Sequence, residues 1–318
     1  AGNLSIMMHR LKGQKKEGDI MASYAQVLTT MQAGQVEQDV LEVLCNISLT
    51  DAEIGAIQAH HGAHNLRKLE RDLLKLVVVP RFASRAKLLL QELAFDNVLE
   101  VPLQTVQMMK EVLDKVTNAV VFKEVLTSVV SIGSAVVNAE RGASPGNVSG
   151  IRVAGLAKLK DVKTSQPGVS MMHLVVFHWS RSCYGDDAKL QQFEGELLPL
   201  MKLGQTSTSD IRLSVNEAKQ QLTVAQAERA HRAEYGPASA RVDQIVQVME
   251  RRFAVLDEKW TAAQDAGNAA LQFLGEPQAR ADAVDELVKG LVRFAVDVRS
   301  VWANVRTKEA ELAQMLGM

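Results

Sequence analysis

The chain has 318 residues, 47% of them hydrophobic and 23% charged, with a formal net charge of −1. That balance excludes wholesale disorder, leaves room for a large core or an extended helical array, and gives the whole molecule no basic field with which to coat nucleic acid. Only two cysteines occur, Cys45 and Cys183, and their distant spacing excludes a disulfide framework or a zinc module and suits a reducing compartment.

At the N-terminus, His9, Arg10, Lys12, Lys15 and Lys16 interrupt the apolar positions, so no secretory signal is read there. The chain opens on Ala1-Gly2 rather than Met, which leads us to expect a fragment of something longer. Leu69, Leu73 and Leu76 predict a helix, followed by the short β-branched run Val77 to Val79 and Pro80. Val106, Met109, Leu113, Val116 and Val120 form a stripe at three- and four-residue spacing. A buried helix with Val129, Val130, Ile132, Val136 and Val137 then leads through Gly133 to Asn138, and the loop from Arg141 to Gly150 is the main flexible candidate. A lysine-studded segment with Lys158, Lys160 and Lys163 precedes a second apolar run.

Gln205 to about Gly236 reads as a polar, exposed helix with a thin stripe of Leu213, Val215, Ala218 and Leu222, ended by Gly236-Pro237. Two more stripes follow, Val242, Ile245, Met249, Phe253, Leu256, Trp260 and then Val284, Leu287, Leu291, Phe294, Val298, Val301, Val305. Their near-3.5 repeat predicts long helices supercoiled against antiparallel neighbours. The seven prolines, at 80, 102, 145, 167, 199, 237 and 277, are read as punctuation at helix edges. Period-two alternation is nearly absent and no apolar run approaches the ~20 residues of a membrane span, so the chain is expected to be all-α.

Little in the sequence suggests covalent chemistry. Glycines at 142, 146, 150 and 155 lack the Gly-Lys-Ser/Thr of a phosphate loop and follow no strand. His60 and His64 share a helical spacing, but Gly62 weakens that helix and no His-Glu-x-x-His is present. Cys183 lies near His178 without an orienting third group, and Asp186-Asp187 lacks the spacing of a helical metal motif. Catalytic residues, metal ligands and cofactors are therefore not expected.

Gly133, Ser134 and Asn138, then Gly150 and Ile151, then Lys158, Leu159, Asp161 and Lys163, then Met171, Met172 and His173 resemble the signature of the formin homology-2 family. In that family a Gly-Asn-x-x-x-Asn turn precedes a glycine-containing loop, a Lys-Leu-x-Asp-x-Lys run and a Leu-Leu-His-like helix. Gly2-Asn3-Leu4-Ser5-Ile6 resembles the start of the family's knob, and Leu66, Leu69, Glu70, Leu73 with Val79-Pro80-Arg81, Arg85 and Leu88 resemble its Val/Ile-Pro-Arg-x-x-x-Arg region. Asn118 to Phe122 and Leu274-Gly275-Glu276-Pro277 resemble two further turns of the family. Ser134 stands where the family usually has Asn, and Ser149-Gly150-Ile151 replaces an aromatic-Gly-Phe.

The resemblance implies an elongated helical array with a knob over 1–100, a three-helix coiled-coil region over 101–130 and 205–275, and a post over 131–204 and 276–318. It implies a non-enzymatic module of the cytoplasmic cytoskeleton that binds actin, nucleates filaments and stays processively at the barbed end. Ile6 and Lys163 are the implied actin contacts, with Lys158, Lys160, Arg81 and Arg85 as neighbouring cations. Gly133, Ser134, Asn138, Gly150 and Ile151 are the implied dimer pocket on the post. Homodimerisation would use a tryptophan-bearing lasso, and profilin would act only indirectly through a proline-rich segment; neither segment is in this sequence, and neither nucleic acid nor membrane is an implied partner. The alternative is an all-α coiled-coil scaffold or adaptor without actin-assembly activity.

Overall fold

The computed structural model describes residues 7, 11, 19–32, 34, 36–59, 67–141, 151–277, 280 and 282–315, leaving the side chains of 51, 137–141, 306 and 315 aside. The helices are α1 (Ile20–Thr30), α2 (Gln38–Cys45), α3 (Asp51–Ala59), α4 (Lys68–Val77), α5 (Phe82–Asn118), α6 (Val120–Arg141), α7 (Val153–Leu156) and α8 (Met171–Ser182). They continue as α9 (Asp187–Leu197), α10 (Leu200–Leu203), α11 (Thr208–Arg229), a 3₁₀ turn (Arg232–Ala238), α12 (Ser239–Phe273), α13 (Ala283–Thr307) and α14 (Glu309–Met315). Among the described residues no strand forms, and the all-α expectation holds. No single helix among them is long and apolar enough to cross a membrane.

The chain divides into two compact units, Ala1–Pro102 with Val215–Asp257, and Leu103–Ser214 with Glu258–Met318. In the first unit, α1 buries Met21, Tyr24, Val27 and Leu28, and α4 buries Leu73, Leu76 and Val77, and the two stripes pack on each other. Beyond α4 the chain turns through Arg81, whose φ of 55° is left-handed without the freedom of glycine. The α5 residues Glu92 and Asp96 pair with Arg241 and Arg252 of α12 in the same order along both helices, so these run parallel. The α11 residues Gln226 and Arg229 both reach Glu250 of α12, at 2.9 Å each, while Gln91 of α5 donates to the Gln221 carbonyl. α11 thus runs antiparallel to its two neighbours.

The α11 stripe differs from the one read in the sequence. Ile211, Val215, Ala218, Leu222 and Ala225 are buried at alternating four- and three-residue steps, whereas Leu213 is 59% exposed. Two residues from Ile211 and from Val215, Leu213 points about 200° around the helix from each and cannot join their seam. A second correction concerns Pro102, which lies buried within α5 rather than at a helix edge. Its ring removes one backbone hydrogen bond, and the helix passes through the position nonetheless.

The second unit is built around α8. Met172, Leu174, Val175, Val176, Phe177 and Trp179 are all buried, so apolar side chains cover most of this helix, and it packs against both α6 and α13. Four aromatic contacts run through the core: Trp179 to Trp302 (4.9 Å between centroids), Trp179 to Phe193 (5.6 Å), Phe193 to Phe294 (6.2 Å) and Phe122 to Phe294 (6.3 Å). The break at Ala119 starts α6 afresh, and the Glu196 carboxylate accepts from the N–H groups of Val120, Val121 and Phe122 at 3.1, 3.1 and 2.8 Å. A remote side chain thereby satisfies three of the four orphan donors at a helix start and meets the positive end of its dipole.

α7 and α13 meet at Gly290, where an added Cβ would lie 2.3 Å from the Val153 Cγ1. Replacing an exposed helical glycine with alanine normally stabilises by about 0.5–1 kcal/mol. Here the overlap reverses the sign, and Gly290→Ala is expected to destabilise the unit by about 1–3 kcal/mol. Val153→Ala in the same chain should recover part of that loss in a urea titration; no recovery would place the damage elsewhere.

Candidate functional site

The segment from Val153 to Ser170 is held in place by partners more than a hundred residues away. Glu276 accepts from the Val153 N–H at 2.7 Å at the start of α7. Lys160 Nζ donates to Asp297 Oδ1 at 2.9 Å and to Ser300 Oγ at 3.1 Å, and Arg293 donates to Asp161 at 2.7 Å. Arg293, Asp297 and Ser300 sit on one flank of α13, so that helix fixes the loop at consecutive residues. Lys308 closes the far side by donating to the Gly168 carbonyl at 3.0 Å, where Gly168 takes a φ of 76° that a side-chain-bearing residue rarely adopts.

The backbone adds its own ties. Met171 and Met172 donate to the carbonyls of Val162 (2.8 Å) and Leu159 (3.0 Å), and Lys163 faces Ser170 in an isolated antiparallel bridge. The buried side chains of Leu159 and Val169 anchor the loop below. Lys158, Lys160, Asp161, Val162 and Lys163 are exposed, Val162 at 45%, and Lys160 and Asp161 are engaged by α13. Among the described residues neither Lys158 nor Lys163 has a side-chain hydrogen bond or an ion pair. A lysine without an internal partner, on a loop fixed at several points, presents its charge with little ordering cost at the loop itself.

His173 closes the base of the loop. The Ser170 backbone N–H donates to its Nδ1 at 3.1 Å, with the Ser170 hydroxyl 2.9 Å from the same nitrogen, a cap for the first turn of α8. Burial, with the charges of Lys308 and Lys160 nearby, holds the imidazole below its ordinary pKa. The native state therefore favours the neutral ring, and the unfolded chain binds the proton more readily. The associated stability is fully present above the ordinary imidazole value of about 6.5 and is lost as pH falls through the lower native value. His173→Gln is expected to flatten the dependence of melting temperature on pH below about 6.5; an unchanged slope would assign it to other groups.

The other sequence-predicted residues divide by environment. Arg81 is engaged by Glu228, with Nε and Nη2 at 3.1 and 2.5 Å from the two carboxylate oxygens, and Glu234 lies 3.7 Å away. Burial works to raise the Glu228 pKa, but the hydrogen bonds from Arg81 and Tyr235 outweigh it and keep the carboxyl below its usual range. Arg85 is 2% exposed, its guanidinium turned onto backbone carbonyls. Lys160 is engaged by Asp297 and 43% exposed at its side chain. Gly133 and Ser134 are half-buried on α6, Ile151 is half-buried just before α7, and Asn138 lies in α6 with its side chain outside the description. Ile6, Gly150, the loop at 142–150 and the histidines at 60, 61 and 64 all lie outside the described residues.

Sequence reasoning missed Arg293, Asp297, Ser300 and Lys308, the residues that hold the loop. Their only local signal is polarity beside an apolar stripe, which every surface helix shows. Among the described residues no cluster of His, Cys, Asp and Glu could hold a metal ion.

Comparison with known proteins gives the family of this all-α chain. The profile of the Formin Homology 2 Domain matches residues 1–299, and the chain belongs to that family. It is 21% identical to Formin-like protein 5 of Oryza sativa subsp. japonica over 98% of this chain and 19% of that protein. It is 20% identical to Formin-like protein 16 of Arabidopsis thaliana over 81% of this chain and 35% of that protein. Formin-like protein 7 of Oryza sativa subsp. japonica is 26% identical over 54% of the chain and 12% of its own length. The chain thus spans about a third or less of these relatives.

Proposed function

We propose that this chain is an actin-assembly module that nucleates filaments and stays associated with the barbed end, acting by binding rather than by covalent catalysis. The observation that carries the reading is Lys163: exposed, without a side-chain partner among the described residues, and presented by a loop that α13 and Lys308 hold rigid, at the position where the formin homology-2 motif has its post-side actin contact. Lys158 extends the same cationic edge. Lys160 and Arg81 act mainly through the carboxylates they engage, and Arg85 acts by ordering the turn that presents Arg81. Ile6, near the start of the sequence, supplies the apolar contact. The knob, coiled-coil and post ranges follow the family's order, with Gly133, Ser134, Asn138, Gly150 and Ile151 forming the surface that receives a second copy.

Such a module lowers the nucleation barrier by holding two or more actins in filament-like register, so that their association entropy is lost before the slow step. In a fluorescent-actin assembly assay with the chain joined to a formin lasso, the parent protein is expected to shorten the lag. Lys163→Asp and Ile6→Ala should each abolish the effect, and parent-like acceleration by either variant would overturn its assignment. Cosedimentation with filaments that is no greater than background at low salt would instead favour a scaffold without actin activity.

A further inference from the structure

Beside the loop, a groove of about 520 Å³ lies between α7, the Glu276-Pro277 turn and one face of α13. We propose that this groove is a docking site for an acidic amphipathic helix of a partner protein. The site goes beyond the actin reading and does not depend on it.

The charge distribution commits the groove to an acidic occupant. Five cations line it, Arg152, Lys158, Arg280, Lys289 and Arg293, with two carboxylates, Glu276 and Glu286; Arg280 is engaged by Asp282 and Glu286, and Arg293 by Asp161 and Asp297, which leaves three cations to act on a partner. Both carboxylates are already engaged, Glu276 by the Val153 N–H and Glu286 by Arg280 at 3.1 Å. Arg152, Lys158 and Lys289 are exposed and have no side-chain partner among the described residues. Three exposed cations without side-chain partners on one concave surface favour a partner of opposite sign.

The shape commits it to a helix. The α13 positions Ala283, Glu286, Leu287, Gly290 and Arg293 fall at three- and four-residue steps and so line one flank, running about 15 Å at 1.5 Å per residue. That is the length of about three helical turns. Ala154, Ala157 and Ala283 give the lining small side chains, and Leu271 and Leu287 add apolar surface to it. Apolar anchors on the floor with carboxylates toward the rim are the pattern of helix-in-groove recognition.

The test uses the full 318-residue chain and a fluorescein-labelled 16-residue peptide carrying leucine on one helical face and glutamate on both flanks. Fluorescence polarisation is expected to show this peptide binding at least tenfold more tightly than versions with glutamine for glutamate or serine for leucine. Arg152→Glu with Lys289→Glu should weaken it at least tenfold while the helical circular dichroism and melting temperature stay those of the parent chain. Lys219→Glu with Arg251→Glu, the same change in net charge placed on α11 and α12, should leave binding within twofold. Lys158 is kept unchanged because it also belongs to the actin surface. Equal binding of the glutamine or serine peptide, an equal loss in the α11/α12 control, or loss in the groove variant of binding to phosphatidylinositol-bisphosphate vesicles but not to the peptide would each overturn the proposal.

Discussion

Arg85→Ala is expected to remove about 3–5 kcal/mol of stability from the first unit, a large share of what holds a domain folded. The guanidinium is 2% exposed and donates to four backbone carbonyls, those of Pro80 (2.7 Å), Leu28 (3.1 Å), Thr29 (3.3 Å) and Glu234 (3.0 Å). These belong to three segments far apart in sequence: the end of α1, the turn before α5 and the 3₁₀ turn after α11. Its guanidinium carbon also lies 4.3 Å from the Tyr235 ring centre, so charge, hydrogen bonds and a cation–π contact are lost together. Alanine would leave carbonyls short of a donor in a place water enters poorly, which costs more than the hydrogen bonds themselves contributed. Arg85→Lys should recover less than half, because an ammonium cannot reproduce the planar fork. Urea unfolding followed by circular dichroism checks this, and a loss under about 1 kcal/mol would show that the carbonyls find other donors.

Phe294→Ala is expected to cost the second unit a similar amount, about 3–5 kcal/mol. Its ring is fully buried between Phe122 and Phe193, so truncation removes two aromatic contacts and opens a cavity that fixed helices cannot close. The consequence extends to the candidate site. Phe294 seats α13 in the core, and its neighbours Arg293 and Asp297 hold Asp161 and Lys160 of the basic loop. A thermal melt should therefore fall by several degrees, and amide exchange should rise across residues 158–163. Phe294→Leu, which keeps most of the volume, should do neither to the same extent. Unchanged exchange in the loop beside a lowered melting point would separate core stability from loop order.

Much of the helix content was readable in advance because burial leaves a periodic trace. Leu287, Leu291, Phe294, Val298, Val301 and Val305 all proved buried, as did Val106, Met109, Leu113 and Val116. Val120 ended outside its stripe, 58% exposed, because the chain breaks at Ala119 and restarts the helical phase. Leu213 lies off its stripe for a related reason: an apolar residue joins a seam only where its angular position on the helix meets it. Pro102 failed because the loss of one hydrogen bond is smaller than the packing that a long helix retains on either side.

The order of apolar and polar residues fixed in advance that this chain is helical, and a handful of short motifs in the right order indicated its family. Both are local properties, set by which face of a helix must leave water and by residue types a few positions apart. Only the folded arrangement decided which cations are free to act. Lys160 and Lys163, three residues apart and alike in sequence, differ because Asp297, more than 130 positions away, reaches one and not the other. Likewise Arg81 and Arg85 divide into a half-buried ion pair and a buried tie among carbonyls. Charge is neutralised by distance in space, and sequence spacing does not report that distance once the chain has turned back on itself.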